Sequence, residues 1–176
     1  MRLKTMKFSV IIILLILLTQ TLVFAQSVTN FSQVEFDPEK LSERGKYSFE
    51  TLLKTKTFTL NGFGAAAAPH LATRALADLL KEKSVEKALQ FLVRNATPEG
   101  RIYGLLGLQV INSKQFKPDF AIFKTLPIPK DEISSSDGGC SPETTSLKRA
   151  EIIKDLETGA FDKRFSYVFD IKELRK

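Results

Sequence analysis

The stretch GRIYGLLGLQVI, residues 100–111, decides the fold, because it is an almost unbroken apolar run that follows a helix start signal. Thr97 offers a capping hydroxyl, and Pro98 lacks the N–H that a first helical residue does not need. Glu99 adds an acid beside the positive end of the helix dipole. The pattern therefore predicts a helix over residues 98–111.

Two features predict that this helix lies at the centre of the protein. Arg101 and Gln109 are almost its only polar side chains after the first turn, and they fall on one narrow line of its surface. Gly104 and Gly107 lie in its interior, where a glycine costs about 1 kcal/mol relative to alanine. No phosphate-binding pattern surrounds them, so we expect close helix packing at these glycines rather than a ligand.

Apolar residues at helical spacing predict further helices on both sides of the central one. Ser84 and Ser113 are suitable caps, Pro118 interrupts the fourth segment, and Gly159 ends the last one. The predicted helices cover residues 69–83, 84–95, 113–126 and 147–158, the last burying Leu147, Ala150, Ile153 and Leu156. Residues 69–126 resemble the helical hairpins of HEAT-type repeats, which implies stacked helices and transfers no functional residue.

Two short stretches alternate apolar and polar residues and predict strands. They are residues 55–60, TKTFTL, and residues 165–171, FSYVFDI. A strand before the helices and one after them invite pairing, since each alone leaves half of its backbone groups unpaired. The fold class that we predict is mainly α, with four to five helices packed around a buried central helix and a minor two-stranded β element.

The remaining segments complete the predicted domain organisation. Residues 26–54 form an extended or irregular lead-in with one helical turn after Pro38, and residues 55–176 form a single, mainly helical domain. Residues 127–146 are rich in proline, serine and glycine, which is typical of a long surface loop.

The N-terminus has the pattern of an export signal. Three basic residues precede the apolar run FSVIIILLILL of residues 8–18, and Val23 and Ala25 provide a cleavage site before Gln26. Residues 1–25 are therefore interpreted as a signal peptide that directs the protein to the periplasm, the extracellular space or the secretory pathway. The alternative is an uncleaved membrane anchor, because residues 8–25 approach the length of a spanning helix. No later segment is apolar enough to span a bilayer.

Cleavage would also change the charge of the protein. It removes three of the 26 basic side chains and none of the 20 acidic ones, which leaves a net charge of +3. That value is ordinary for a soluble protein. The sequence contains no basic run interleaved with aromatic residues, the pattern that indicates nucleic-acid binding. With Cys140 as the single cysteine, an intramolecular disulfide is excluded. Cys140 is expected to be either an accessible free thiol or a bridge between two chains.

The sequence contains few residues that suit catalysis or metal binding. His70 is the single histidine, and a Cys140–His70 nucleophile pair requires a proximity that the sequence does not show. A structural zinc site needs about four Cys or His ligands, and Cys140 and His70 are the two that the sequence contains. The acids Asp131, Glu132 and Asp137 lack EF-hand order, and the Ser134–Ser141 segment lacks the G-x-S-x-G arrangement. We therefore predict no catalytic, metal-binding or cofactor-binding residue.

These observations favour an exported, non-catalytic binding or structural module of the cell envelope or extracellular space, with a protein or peptide as its partner. The alternative is a small exported hydrolase or thiol enzyme that uses Cys140 and His70. A distance of about 4 Å or less between the two side chains inside a cleft would favour the enzyme.

Overall fold

Seven α-helices make up most of the part of the chain that the structure, a computed structural model, describes: residues 34–60, 62–63, 68–128, 132–136 and 144–169. A short 3-10 turn at Pro38–Lys40 precedes them. The helices are α1 (Glu43–Lys54), α2 (Leu71–Leu79), α3 (Val85–Asn95), α4 (Pro98–Val110), α5 (Phe116–Thr125), α6 (Arg149–Thr158) and α7 (Ala160–Val168). The predicted signal peptide and Cys140 lie outside the described residues.

The β structure consists of two antiparallel pairs. Strands β1 (Gly62–Phe63) and β2 (Ala68–Pro69) pair across a short connection. Strands β3 (Glu132–Ser136) and β4 (Thr144–Lys148) pair with Glu132 opposite Lys148 and Ser136 opposite Thr144. The predicted class, mainly α with a minor β element, is therefore confirmed.

Helix α4 is the buried central helix that the sequence predicts. The Thr97 hydroxyl accepts a hydrogen bond from the Gly100 N–H at 3.2 Å, and Pro98 is the first helical residue. The helix contacts α1, α2, α3, α5, α7 and β3. Its side chains with no exposed surface are Ile102, Tyr103, Leu105, Leu106, Leu108 and Val110.

The glycines of α4 lie where neighbouring elements come closest. A Cβ on Gly104 would lie 2.9 Å from the Leu89 carbonyl oxygen and 3.0 Å from the Val93 nitrogen, both in the backbone of α3. A Cβ on Gly107 would overlap the Leu89 side chain, and one on Gly100 would overlap the Leu52 carbonyl oxygen of α1. The prediction of close helix packing is confirmed.

The irregular lead-in predicted for residues 26–54 is wrong over Glu43–Lys54, which is α1. The Ser42 hydroxyl caps this helix by accepting a hydrogen bond from the Gly45 N–H at 3.0 Å. Phe49 and Leu52 are buried with Ser48 on one face. Because that face contains so few large apolar residues, its helical period is weak in the sequence. The single turn predicted after Pro38 is present.

The strand predicted for residues 55–60 is also wrong. Only Phe58 forms a bridge, a parallel one to Ser135. Side chains hold the rest of the segment: the Tyr103 hydroxyl accepts from the Thr59 N–H at 3.0 Å and donates to the Thr59 carbonyl at 2.7 Å. The Thr73 hydroxyl donates to the same carbonyl at 2.6 Å. Burial raises the pKa of Tyr103 to about 12, so its hydroxyl keeps the proton that it donates.

The second predicted strand, residues 165–171, is wrong over Phe165–Val168, which belong to α7; Phe169 is the C-cap of that helix. Phe161 and Phe165 are buried one helical turn apart. The segment therefore follows the spacing of four residues that suits a helix, and not the alternation that suits a strand. Gly159, with φ 69°, joins α6 to α7 in the left-handed conformation that favours glycine.

The loop predicted for residues 127–146 is wrong over residues 132–136, which form β3, and over residues 144–146, which begin β4, whereas residues 127 and 128 are irregular as predicted. Buried Ile133 lies opposite Leu147 in this hairpin, so Leu147 belongs to a strand and not to the last helix. Helix α6 buries Ile152 and Leu156, whereas Ala150 is exposed, which corrects the predicted buried face. Among the described helices, none is both long and apolar enough to cross a bilayer.

Candidate functional site

A surface groove lies between residues 35–40, called the N-terminal segment below, and the start of α3. Its volume is about 330 Å³, at the small end of the range for ligand sites. The residues that line it come from two parts of the chain and combine one aromatic ring with charges of both signs: Glu35, Phe36, Asp37, Lys40, Lys83, Ser84, Glu86 and Lys87.

The Phe36 ring provides the apolar part of the groove. Its centroid lies 4.9 Å from that of Phe49 in α1 and 5.7 Å from that of Phe91 in α3. Phe49 and Phe91 are themselves 5.7 Å apart, and all three rings are tilted relative to one another. Tilted pairs at these distances are favourable, so the cluster holds the N-terminal segment against two helices. Phe36 is thereby fixed in position as a half-buried surface.

Three lysines of the groove, Lys40, Lys83 and Lys87, are exposed, and within the described chain they form no ion pair or side-chain hydrogen bond. Nearby Lys46 behaves differently. It donates to Glu39 at 2.6 Å and to Glu43 at 3.2 Å, and these hydrogen bonds raise its pKa. The ammonium groups of the groove therefore keep their donors for solvent or for a bound group.

The carboxylates of the groove are partly used within the protein. Asp37 accepts a hydrogen bond from the Glu39 N–H at 3.0 Å and caps the 3-10 turn. Glu86 accepts from the Ser113 hydroxyl at 2.8 Å. Ser84 is the N-cap of α3, yet its hydroxyl makes no capping hydrogen bond. The internal bonds thus leave the lysines and Ser84 as the main available donors.

A second polar cluster lies between α3 and α5. Arg94 and Asp119 form an ion pair of 2.7 Å, and Asp119 has no exposed surface. Burial raises the pKa of Asp119, although Arg94 and Gln90 act in the opposite direction. Asp119 Oδ2 and Arg94 Nε are buried without a hydrogen-bond partner. This pair does not line the groove, and its position between two packed helices suits a structural role.

The two residues of the enzyme alternative, His70 and Cys140, cannot be compared in the structure, because only His70 is described. His70 is half-buried and caps α2, since its Nδ1 accepts from the Ala72 N–H at 3.3 Å. Burial lowers the pKa of this histidine. Cys140 lies outside the described residues, so the structure gives no distance between the two side chains. Ser134 and Ser135 lie in β3 rather than in a loop, and Asp131 and Asp137 are outside the described residues.

The acids and the histidine do not gather into a metal site where the chain is described, since no group of three or more His, Cys, Asp or Glu side chains is close enough to hold an ion. Comparison with known protein families, with curated proteins and with solved structures finds no match to this chain. The groove is therefore the site on which a functional proposal rests.

Proposed function

We propose that this chain is a small exported helical protein that acts without catalysis, as a binding module of the cell envelope or extracellular space. The groove carries the proposal. It combines a fixed aromatic ring with lysines that have no partner in the described chain, so it offers both an apolar contact and unused hydrogen-bond donors to another molecule.

Export rests on the sequence of residues 1–25 and is tested by the mass of the protein isolated from its own cells. We expect a mature chain that begins at Gln26, with or without cyclisation of that glutamine. A mass that still includes residues 1–25 would indicate the membrane-anchored alternative.

Binding at the groove is tested by site-specific crosslinking in the native host. A photo-crosslinking amino acid at Lys87 is expected to give a discrete, reproducible adduct. The matched control places the same amino acid at Lys154, an exposed lysine of α6 outside the groove. An adduct specific to position 87 supports binding at the groove, whereas no adduct, or equal adducts at both positions, contradicts it.

The enzyme alternative has its own decisive outcome. If the purified protein turns over a hydrolase or thiol-enzyme substrate, and Cys140→Ala or His70→Ala abolishes that turnover, the non-catalytic proposal is wrong. His70→Gln provides a control for folding, since glutamine keeps a polar acceptor near the start of α2.

A further inference from the structure

We propose that the groove binds an acidic peptide segment of a protein partner, one that places an apolar side chain against Phe36 and carboxylates beside the lysines. This inference rests on the proposed function and specifies the partner.

The balance of used and unused groups favours a partner with carboxylates. Three lysines and three acids line the groove, so its formal charge is zero. Of the acids, Asp37 and Glu86 accept hydrogen bonds from Glu39 and Ser113, and Glu35 accepts none, whereas all three lysines are without a hydrogen bond or ion pair in the described chain. A carboxylate that reaches the lysines gains charge-assisted hydrogen bonds that the protein itself does not supply.

The acids that line the groove favour a peptide over a uniformly anionic surface. Glu35, Asp37 and Glu86 would repel a phosphate chain or an anionic bilayer that presents only negative charge. A peptide offers both signs of polarity, because its backbone N–H groups can donate to these carboxylates while its acidic side chains meet the lysines. The mixed rim is therefore complementary to a peptide.

The aromatic cluster explains why the peptide needs an apolar residue. Phe36 is held by Phe49 and Phe91, so its remaining surface is fixed before binding. Burying an apolar side chain on a fixed surface avoids the cost of ordering that surface. The groove, with a volume of about 330 Å³, has room for a short peptide segment but not for part of a folded domain.

The test uses the protein purified in the form that its own cells produce and measures fluorescence polarisation with defined peptides. The probe is a labelled hexapeptide with one phenylalanine flanked by glutamates, and the comparison peptide has glutamines in place of the glutamates. We expect the glutamate peptide to bind at least tenfold more tightly, with an affinity that decreases as salt is raised.

Two double variants locate the binding. Lys83→Gln with Lys87→Gln is expected to weaken binding of the glutamate peptide by about tenfold, since two charge-assisted contacts are lost. Lys154→Gln with Lys163→Gln removes the same charge from exposed positions on α6 and α7 and is expected to leave the affinity unchanged. Equal losses in both variants would show a general charge effect and overturn the inference.

The remaining outcomes separate the peptide from other ligands and from the proposed function. Equal affinity for the glutamine peptide overturns the inference, as does tighter binding to phosphatidylglycerol vesicles or polyphosphate. If position 87 forms an adduct in cells but the glutamate peptide does not bind, the peptide chemistry is wrong and binding at the groove stands. If no adduct forms, the proposed function itself fails.

Discussion

Replacing Arg94 with alanine is expected to lower the free energy of unfolding by about 3 kcal/mol, because the change leaves the Asp119 carboxylate buried without its counter-ion. The pair joins α3 to α5 at 2.7 Å, and Asp119 has no exposed surface. One of its carboxylate oxygens already lacks a hydrogen-bond partner, and the neutral Gln90 does not replace the charge of Arg94. Urea unfolding followed by circular dichroism measures the loss.

The loss of stability in Arg94→Ala is expected to depend on pH. Burial raises the pKa of Asp119 above its unfolded value, so the folded protein holds this proton more tightly than the unfolded chain does. The buried Asp119 carboxylate therefore lowers the free energy of unfolding. This loss is absent below the unfolded pKa of Asp119 and reaches its full size as the pH rises through the folded pKa. Because loss of Arg94 raises that pKa further, the difference in stability between wild type and Arg94→Ala is expected to be smaller at pH 4 than at pH 8.

A double variant provides the control. Arg94→Ala combined with Asp119→Asn removes both charges and is expected to recover much of the lost stability, because a neutral amide is less costly to bury than a carboxylate. If the double variant is as unstable as Arg94→Ala at every pH, the loss arises from packing of the arginine stem and not from the buried charge.

The sequence predicted α4 well because several independent signals coincide there. A cap at Thr97, a first-turn proline and an apolar run all define the same helix, and the glycines indicate its close neighbours. The end of α6 at Gly159 was also predicted, and the structure shows the left-handed conformation that favours glycine there.

The errors arise where tertiary contacts decide between local patterns of similar strength. Phe165 and Phe169 fit both an alternating strand and a helix, and the burial of Phe161 one turn earlier favours the helix. Strand β3 has little apolar character apart from Ile133, so its pairing with β4 is a long-range property. Residues 55–60 fail to form a strand because side chains from α2 and α4 satisfy Thr59 instead.

The groove could not be predicted from the sequence, because its lining residues come from segments separated by some forty positions. Phe36 gave a weak signal as an aromatic residue in a polar stretch. Its meaning depends on Phe49 and Phe91, whose rings meet it only in the folded chain. The lysines at the start of α3 likewise become a set only when the N-terminal segment lies beside them.

Replacing Gly107 with leucine is expected to lower the free energy of unfolding by about 3 kcal/mol, the upper end of the cost of overpacking. Even the first carbon of the new side chain would overlap the Leu89 side chain, and the Leu76 Cδ1 lies 3.1 Å from its position. Both leucines are fully buried, so neither can turn toward solvent. Helices α2 and α3 would have to move away from α4, which all of their other contacts oppose.

Gly107→Ala tests the same contact by the sign of its effect. Helix propensity alone would make alanine more stable than glycine by about 1 kcal/mol, whereas the overlap with Leu89 predicts a loss. Gly45→Ala is the comparison, because the added carbon in α1 would meet only the Glu82 side chain, which is partly exposed and can shift at the cost of its hydrogen bonds from Ser42. We expect Gly107→Ala to lower the melting temperature by more than Gly45→Ala does. A higher melting temperature for Gly107→Ala, or no change for Gly107→Leu, would show that close packing does not require glycine at this position.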